Sequence, residues 1–167
     1  MTRGAASAAL ILLAMLSARA EGQPACAPTR PDMLGPFYEP NAPERSVTGG
    51  GLVITGRVSS TQGCTPMPGA LIEWWSANPR GDYDAEHRAA QRADGAGRYR
   101  YETDFPGRYP GRPLHLHVRV TAPGHKPLVT QLRTDGREGA LQQRFVPTAP
   151  GPSVAALHQA GAEEPCR

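Results

Sequence analysis

Glycine and proline interrupt this chain so often that long helices have nowhere to form. The 167 residues include 19 glycines and 18 prolines. Proline removes a backbone donor and clashes with the preceding helical turn, and glycine loses the most backbone entropy on ordering. Between these breaks lie short apolar–polar alternations of period two, the pattern of half-buried strands. Leu52–Val58, residues 70–77, Arg98–Thr103, residues 112–121 and residues 126–132 read as strands, and Phe145 and Val146 as one further pairing. In the second, Leu71, Glu73 and Trp75 share one face and Ile72 and Trp74 the other. Residues 78–97, rich in Asp, Arg and Gly, read as a long irregular connection, which in a compact domain is functional or mobile. A composition this rich in Gly and Pro also suits disorder, but two tryptophans, five tyrosines and the patterned segments require a core. The expected fold is an all-β, single-domain β-sandwich of about seven or eight mostly antiparallel strands.

The first twenty residues stand apart. Arg3 precedes an apolar run from Ala8 to Leu16, and Ala18-Arg19-Ala20 fits a small-x-small cleavage site. The run is too short to span a bilayer comfortably. The expected division is a signal peptide over 1–20, an extended Pro-rich arm over 21–50, the sandwich over 51–150 and a flexible tail over 151–167. The mature protein is expected to be exported, to the periplasm or outside the cell, with no membrane span after cleavage. Export permits disulfides, and Cys26, Cys64 and Cys166 allow one intrachain bridge with one thiol left over. The net charge of +3 comes from scattered arginines, not a basic stripe, so no nucleic-acid partner is expected. An edge strand such as 126–132 is open to pairing between chains, which leaves a homo-oligomer open.

Tyr109-Pro-Gly-Arg112-Pro-Leu-His115-Leu-His117 concentrates the chemistry. On a strand, His115 and His117 project to one face while Leu114, Leu116 and Val118 turn toward the core. Two imidazoles on one face suit a metal, but also an ordinary half-exposed strand. Two tyrosines lie where core packing explains them poorly: Tyr83 in the polar stretch 80–84, and Tyr109 between two Pro-Gly turns. A phenol ionises near pKa ~10, and ferric iron is a strong enough Lewis acid to deprotonate it. Two phenolates with two imidazoles suit iron(III) better than magnesium or structural zinc.

The ordered set Gly35-Pro36-Phe37-Tyr38, Pro68-Gly69-Ala70, Trp75-Ser76-Ala77-Asn78, Gly81-Asp82-Tyr83, Asp94, Gly97-Arg98-Tyr99, Pro106-Gly107-Arg108-Tyr109, Arg112 to His117 and Thr130-Gln131-Leu132 resembles the intradiol ring-cleavage dioxygenases. This is the family of catechol 1,2- and protocatechuate 3,4-dioxygenases. The resemblance implies Fe(3+) held by Tyr83, Tyr109, His115 and His117. It implies a catecholic small molecule and O2 as substrates, opened between the hydroxyl-bearing carbons to a muconate-type diacid. It places Arg112 and Gln131 beside the substrate ring, with Pro36 and Trp75 also lining the pocket, and gives Tyr109 a proton-accepting role; Trp74 or Trp75 could equally be plain core. Tyr109 and His115 are only six positions apart, closer than in the large catabolic enzymes. The chain is thus similar to the short exported members, which implies a more open site, a Cys26–Cys64 bridge and a free Cys166. Two other readings stand beside this one. One is a non-catalytic exported β-sandwich that binds a partner. The other is a zinc or copper site of His115 and His117 with His87 or His125, although the latter two are expected to be exposed. His158 in the tail has no assigned role.

Overall fold

The computed structural model describes residues 26–108, 110–137 and 139–149; the expected signal peptide, Tyr109, His158 and Cys166 lie outside them. Seven strands form in order: β1 Leu52–Val58, β2 Leu71–Ala77, β3 Tyr83–Arg92, β4 Arg98–Thr103, β5 His115–Thr121, β6 Leu128–Arg133 and β7 Ala140–Phe145. They make two sheets, a three-stranded one ordered β4-β1-β7 and a four-stranded one ordered β3-β2-β5-β6. All pairings are antiparallel except β1 with β7, which is parallel. Among the described residues there is no helix.

The facing sides of the sheets make the core, where period-two alternation sends every second residue inward. Leu52, Ile54 and Val58 of β1 meet Ile72 and Trp74 of β2 and Leu116, Val118 and Val120 of β5. Trp74 stacks on Tyr101 at 4.6 Å between ring centres and meets Phe145 edge-on. Burying a ring of that size contributes about 4–6 kcal/mol. Leu114 lies just ahead of β5 and is only half-buried, so the histidine strand is shorter than residues 112–121.

The stretch 78–97 is corrected most by the structure. It is not one irregular connection, because its ten central residues form β3. That strand reads Tyr-Asp-Ala-Glu-His-Arg-Ala-Ala-Gln-Arg and contains no valine, isoleucine or threonine, so beyond Tyr83 intrinsic β-propensity gives little signal for it. Pairing with β2 holds it, with a register irregularity between Trp75 and Ala77.

The arm from Cys26 to Gly50 crosses the outer face of the four-stranded sheet. At β6, the Asp32 amide donates to the Val129 carbonyl at 2.9 Å. At β3, the Arg45 amide donates to the Ala90 carbonyl at 2.9 Å, and beyond it the Thr48 amide donates to the Glu102 carbonyl of β4 at 2.8 Å. The arm therefore occupies part of the β6 edge that had seemed open to interchain pairing. Cys26 at its start is disulfide-bonded to Cys64, 38 residues away. A crosslink of that span contributes about 4 kcal/mol in the chain-entropy account.

Gly56 is the tightest point in the three-stranded sheet. A Cβ there would lie 1.7 Å from the Gln143 carbonyl oxygen and 2.7 Å from the Tyr99 hydroxyl, which itself donates to Gln143 at 2.6 Å. Gly56→Ala is therefore expected to push β7 from β1 and cost at least the roughly 1–3 kcal/mol typical of overpacking. Urea denaturation checks this, and an unchanged midpoint would show that β7 yields freely.

Candidate metal centre

The alternation of β5 that buries Leu116 and Val118 turns His115, His117 and Arg119 to the opposite face. An outer sheet face is ordinarily wet, yet His115 and His117 are only 3% and 2% exposed because the arm covers them. Their Nε2 atoms converge to 3.1 Å. His115 Nδ1 lies 2.7 Å from the Pro113 carbonyl oxygen. A carbonyl only accepts, so Nδ1 carries the proton and Nε2 presents its lone pair. His117 is stacked on Trp75, 5.0 Å between centres and 9° from parallel. Its Nδ1 is buried without a hydrogen-bond partner among the described residues. Burial first, then His115 and Arg112, push the His117 pKa down to about 4. Burial, with Arg112 and Arg133 nearby, also lowers His115, against the opposing Pro113 carbonyl. Both rings are thus neutral at pH 7, the form in which imidazole binds metals.

Neighbouring strands bring further groups to the same face. Trp75 and Gln131 are the cross-strand partners of His117 on its two sides. Gln131 Oε1 accepts from Arg112 Nη2 at 2.8 Å, and Gln131 Nε2 donates to the Met33 carbonyl at 3.1 Å. Arg112 Nη1 lies 3.4 Å from Met33 Sδ, while its Nε is buried with no partner among the described residues. Tyr83 opens β3 instead of lying in a loop, stacks against Phe37 at 4.2 Å, and has its ring centre 6.2 Å from that of His117. The structure thus gathers Tyr83, His115, His117, Trp75, Arg112 and Gln131. Pro36 is exposed in the arm between Gly35, which presses on His117, and Phe37. Tyr109 lies outside the described residues.

The roof is pinned by polar contacts. Tyr38 meets Trp75 edge-on at 5.1 Å, and its hydroxyl donates to Glu73 Oε1 at 3.0 Å. Glu73 is buried and also accepts from Arg119. Arg88 donates to the Phe37 carbonyl at 2.6 Å and to Glu39 at 2.8 Å.

No family model matches the chain. Over 138 residues it is 30% identical to 6-chlorohydroxyquinol 1,2-dioxygenase of Cupriavidus pinatubonensis, covering 62% of this chain and 50% of that protein. Its fold matches the dioxygenase domain of a dioxygenase–carbohydrate-binding protein fusion from Streptomyces sp. SirexAA-E. There the TM-score is 0.64 and the identity 28%, over 73% of this chain and 97% of the other. It also matches an intradiol ring-cleavage dioxygenase from Tetranychus urticae at TM-score 0.61 and 25% identity, over 65% of each chain. The chain is similar in sequence and in fold to intradiol ring-cleavage dioxygenases. It spans about half the length of the curated relatives it matches.

Two histidines of the chain lie where the sequence did not place them. His125, expected to be exposed, is half-buried, and its Nε2 is 3.0 Å from the Ser60 hydroxyl. His87, expected in an exposed loop, is buried in β3 between two carboxylates. Its Nδ1 is 2.7 Å from Asp84 and its Nε2 3.1 Å from Asp104. Burial alone would lower its pKa, but the hydrogen bonds to Asp84 and Asp104 outweigh this and raise it. Burial alone would raise Asp84, yet hydrogen bonds from Asn78 and His87 hold it below the usual carboxylate range. The Gly50 amide, then His87, does the same for Asp104.

Gly35 is where the roof meets the site. Its φ is +76°, and a Cβ there would lie 2.8 Å from His117 Cε1. Gly35→Ala is expected to lift the arm off the imidazole and cost about 1–2 kcal/mol for the left-handed backbone alone. The urea midpoint measures this, and an unaltered midpoint would mean that the arm does not rest on His117.

Proposed function

We propose that this protein is a non-haem iron(III) dioxygenase that cleaves a catechol-type ring between its hydroxyl-bearing carbons, giving a muconate-type diacid. The observation that carries the reading is the 3.1 Å convergence of the His115 and His117 Nε2 atoms on a buried face. The donor chemistry fits iron(III). The two imidazoles are neutral, and Tyr83 stands on the same face as a phenol donor. Among the described residues, no three His, Cys, Asp or Glu side chains gather as a metal-binding group, which leaves phenols to complete the set. Tyr109, by its resemblance to the family pattern, is the second phenol. His87 and His125 are engaged with Asp84, Asp104 and Ser60, which weighs against a zinc or copper site built on them.

His115 and His117 would hold iron through Nε2, with Tyr83 and Tyr109 through their phenolic oxygens. The Pro113 carbonyl fixes the His115 tautomer, and Trp75 fixes the plane of the His117 ring, as outer-shell partners commonly do. Bound iron(III) would supply Lewis acidity that favours the catechol dianion and opens its ring to dioxygen. Arg112, held by Gln131 Oε1, would stabilise negative charge as it develops on the substrate in a partly dry site. The phenolic oxygen of Tyr109 would accept a substrate proton. Overall one ring C–C bond and the O–O bond break, and both oxygen atoms end in the product carboxyls, so no external reductant is needed. We further propose that the chain is exported after cleavage of residues 1–20, consistent with its disulfide.

The test is iron loading followed by visible spectroscopy and oxygen uptake with a panel of catechols. One iron per chain, a burgundy tyrosinate-to-iron band and one O2 consumed per diacid formed are expected. Tyr83→Phe should weaken the band and lower turnover by at least the roughly 10–100-fold that loss of an outer-shell partner costs. Full iron occupancy in a colourless protein would overturn the reading and favour a non-catalytic module.

A further inference from the structure

The Asp84–His87–Asp104 cluster, with His87 buried at its centre, is not used by the reaction described above. An ionised carboxylate can only accept hydrogen bonds, and both ring nitrogens of His87 face carboxylate oxygens, at 2.7 and 3.1 Å. Both nitrogens thus have a carboxylate partner, and the ring is only 7% exposed. His87 alone is buried; the Asp84 and Asp104 side chains that flank it are 26% and 36% exposed.

What the cluster joins is more specific. Asp84 follows Tyr83 directly. Its Oδ1 also accepts from the His87 amide at 3.0 Å, and its Oδ2 accepts from Asn78 Nδ2 at 2.8 Å. Asn78 in turn fixes the approach to Tyr83. Its side-chain oxygen accepts from the amides of Arg80 at 2.9 Å and Asp82 at 3.1 Å, and its own amide donates to the Asp82 carbonyl at 2.7 Å. The Asn78 carbonyl accepts from both Gly81 and Gly107 at 2.9 Å. A Cβ on Gly107 would lie 2.5 Å from the Asn78 oxygen and 2.5 Å from the Gly81 nitrogen, so these two segments pack backbone on backbone. Asp104, at the head of the segment containing Gly107, is held at Oδ1 by the Gly50 amide at 3.0 Å. His87 thus closes a ring that ties the backbone at Tyr83 to residues 104–108, which immediately precede Tyr109 in sequence.

We propose that His87, bridging Asp84 and Asp104, is a positioning residue that sets the backbone from which Tyr83 reaches the metal and locks segment 104–108 against it. The inference rests on the proposed iron site. His87 does not touch the reacting atoms; it acts through Asp84 and Asn78.

The test uses the full chain carrying His87→Gln, and separately Asp104→Asn. Three quantities are compared with the unaltered protein: iron(III) affinity by chelator competition, the position of the visible band, and the urea midpoint without iron. Glutamine lacks the two opposed ring nitrogens that meet both carboxylates. His87→Gln is expected to lower iron affinity by about 10–100-fold, the range for outer-shell partners, and to move the band, with Asp104→Asn acting in the same direction. A lower urea midpoint with unchanged affinity and band would overturn the proposal and leave His87 a structural role. Should His87→Gln fail to fold, Asp104→Asn decides on the same readouts, since the Asp104 side chain is 36% exposed and tolerates change better. An unaltered protein that takes up no iron, or takes it up without colour, overturns the iron reading and this role together. Unshifted variants beside a coloured parent overturn the role alone.

Discussion

The structure depends on a strap of chain laid over the outer face of a sheet. A sandwich has one interior by construction, between its sheets. This protein makes a second, smaller one by leading its arm from β6 over β5 and β2 to β3. Gly35 lies on His117, Tyr38 on Trp75, and Phe37 on Tyr83. Each contact removes water from a residue that the sheet pleat would otherwise leave wet. Lowered imidazole pKa values and the half-buried Arg112–Gln131 pair follow from that coverage.

Coverage of a polar face has an electrostatic consequence. Glu73 and Arg88 are buried under the arm, and both are paired with arm residues, Tyr38 for one and Glu39 and the Phe37 carbonyl for the other. Charges with satisfied partners hold the strap in a single place, where an apolar underside would permit several. The disulfide from Cys26 to Cys64 acts at the strap's origin and restricts the chain before these contacts form. The geometry of the candidate metal centre is therefore a property of the arm as much as of the sheet.

The sequence made β1, β2, β4, β5 and β6 legible because Val, Ile, Leu, Trp and Tyr recur there with period two. The His115–His117 face followed from the same alternation, Tyr83 from a polar stretch where core packing explains it poorly, and Arg112, Gln131 and Trp75 from resemblance to a family pattern. β3 was illegible because its residues carry little strand propensity and its existence depends on β2. His87 was misread for a related reason. In a regular strand Asp84 and His87, three apart, face opposite ways. They meet because the pairing with β2 slips, opposing Tyr83 to Ala77 and Arg88 to Trp75. A register irregularity of this kind depends on tertiary pairing, and nothing local in the sequence marks it. The parallel pairing of β7 with β1 was hidden likewise, since it joins the two ends of the fold.

The proposed chemistry requires that the buried face beneath the arm bind iron between His115 and His117. Diffraction from crystals grown with iron(III), recorded at the iron absorption edge, tests it most directly. The expected result is a single anomalous peak shared by Nε2 of His115 and Nε2 of His117, with the phenolic oxygen of Tyr83 alongside. A peak located elsewhere on the chain, or none in crystals of the iron-treated protein, would contradict it.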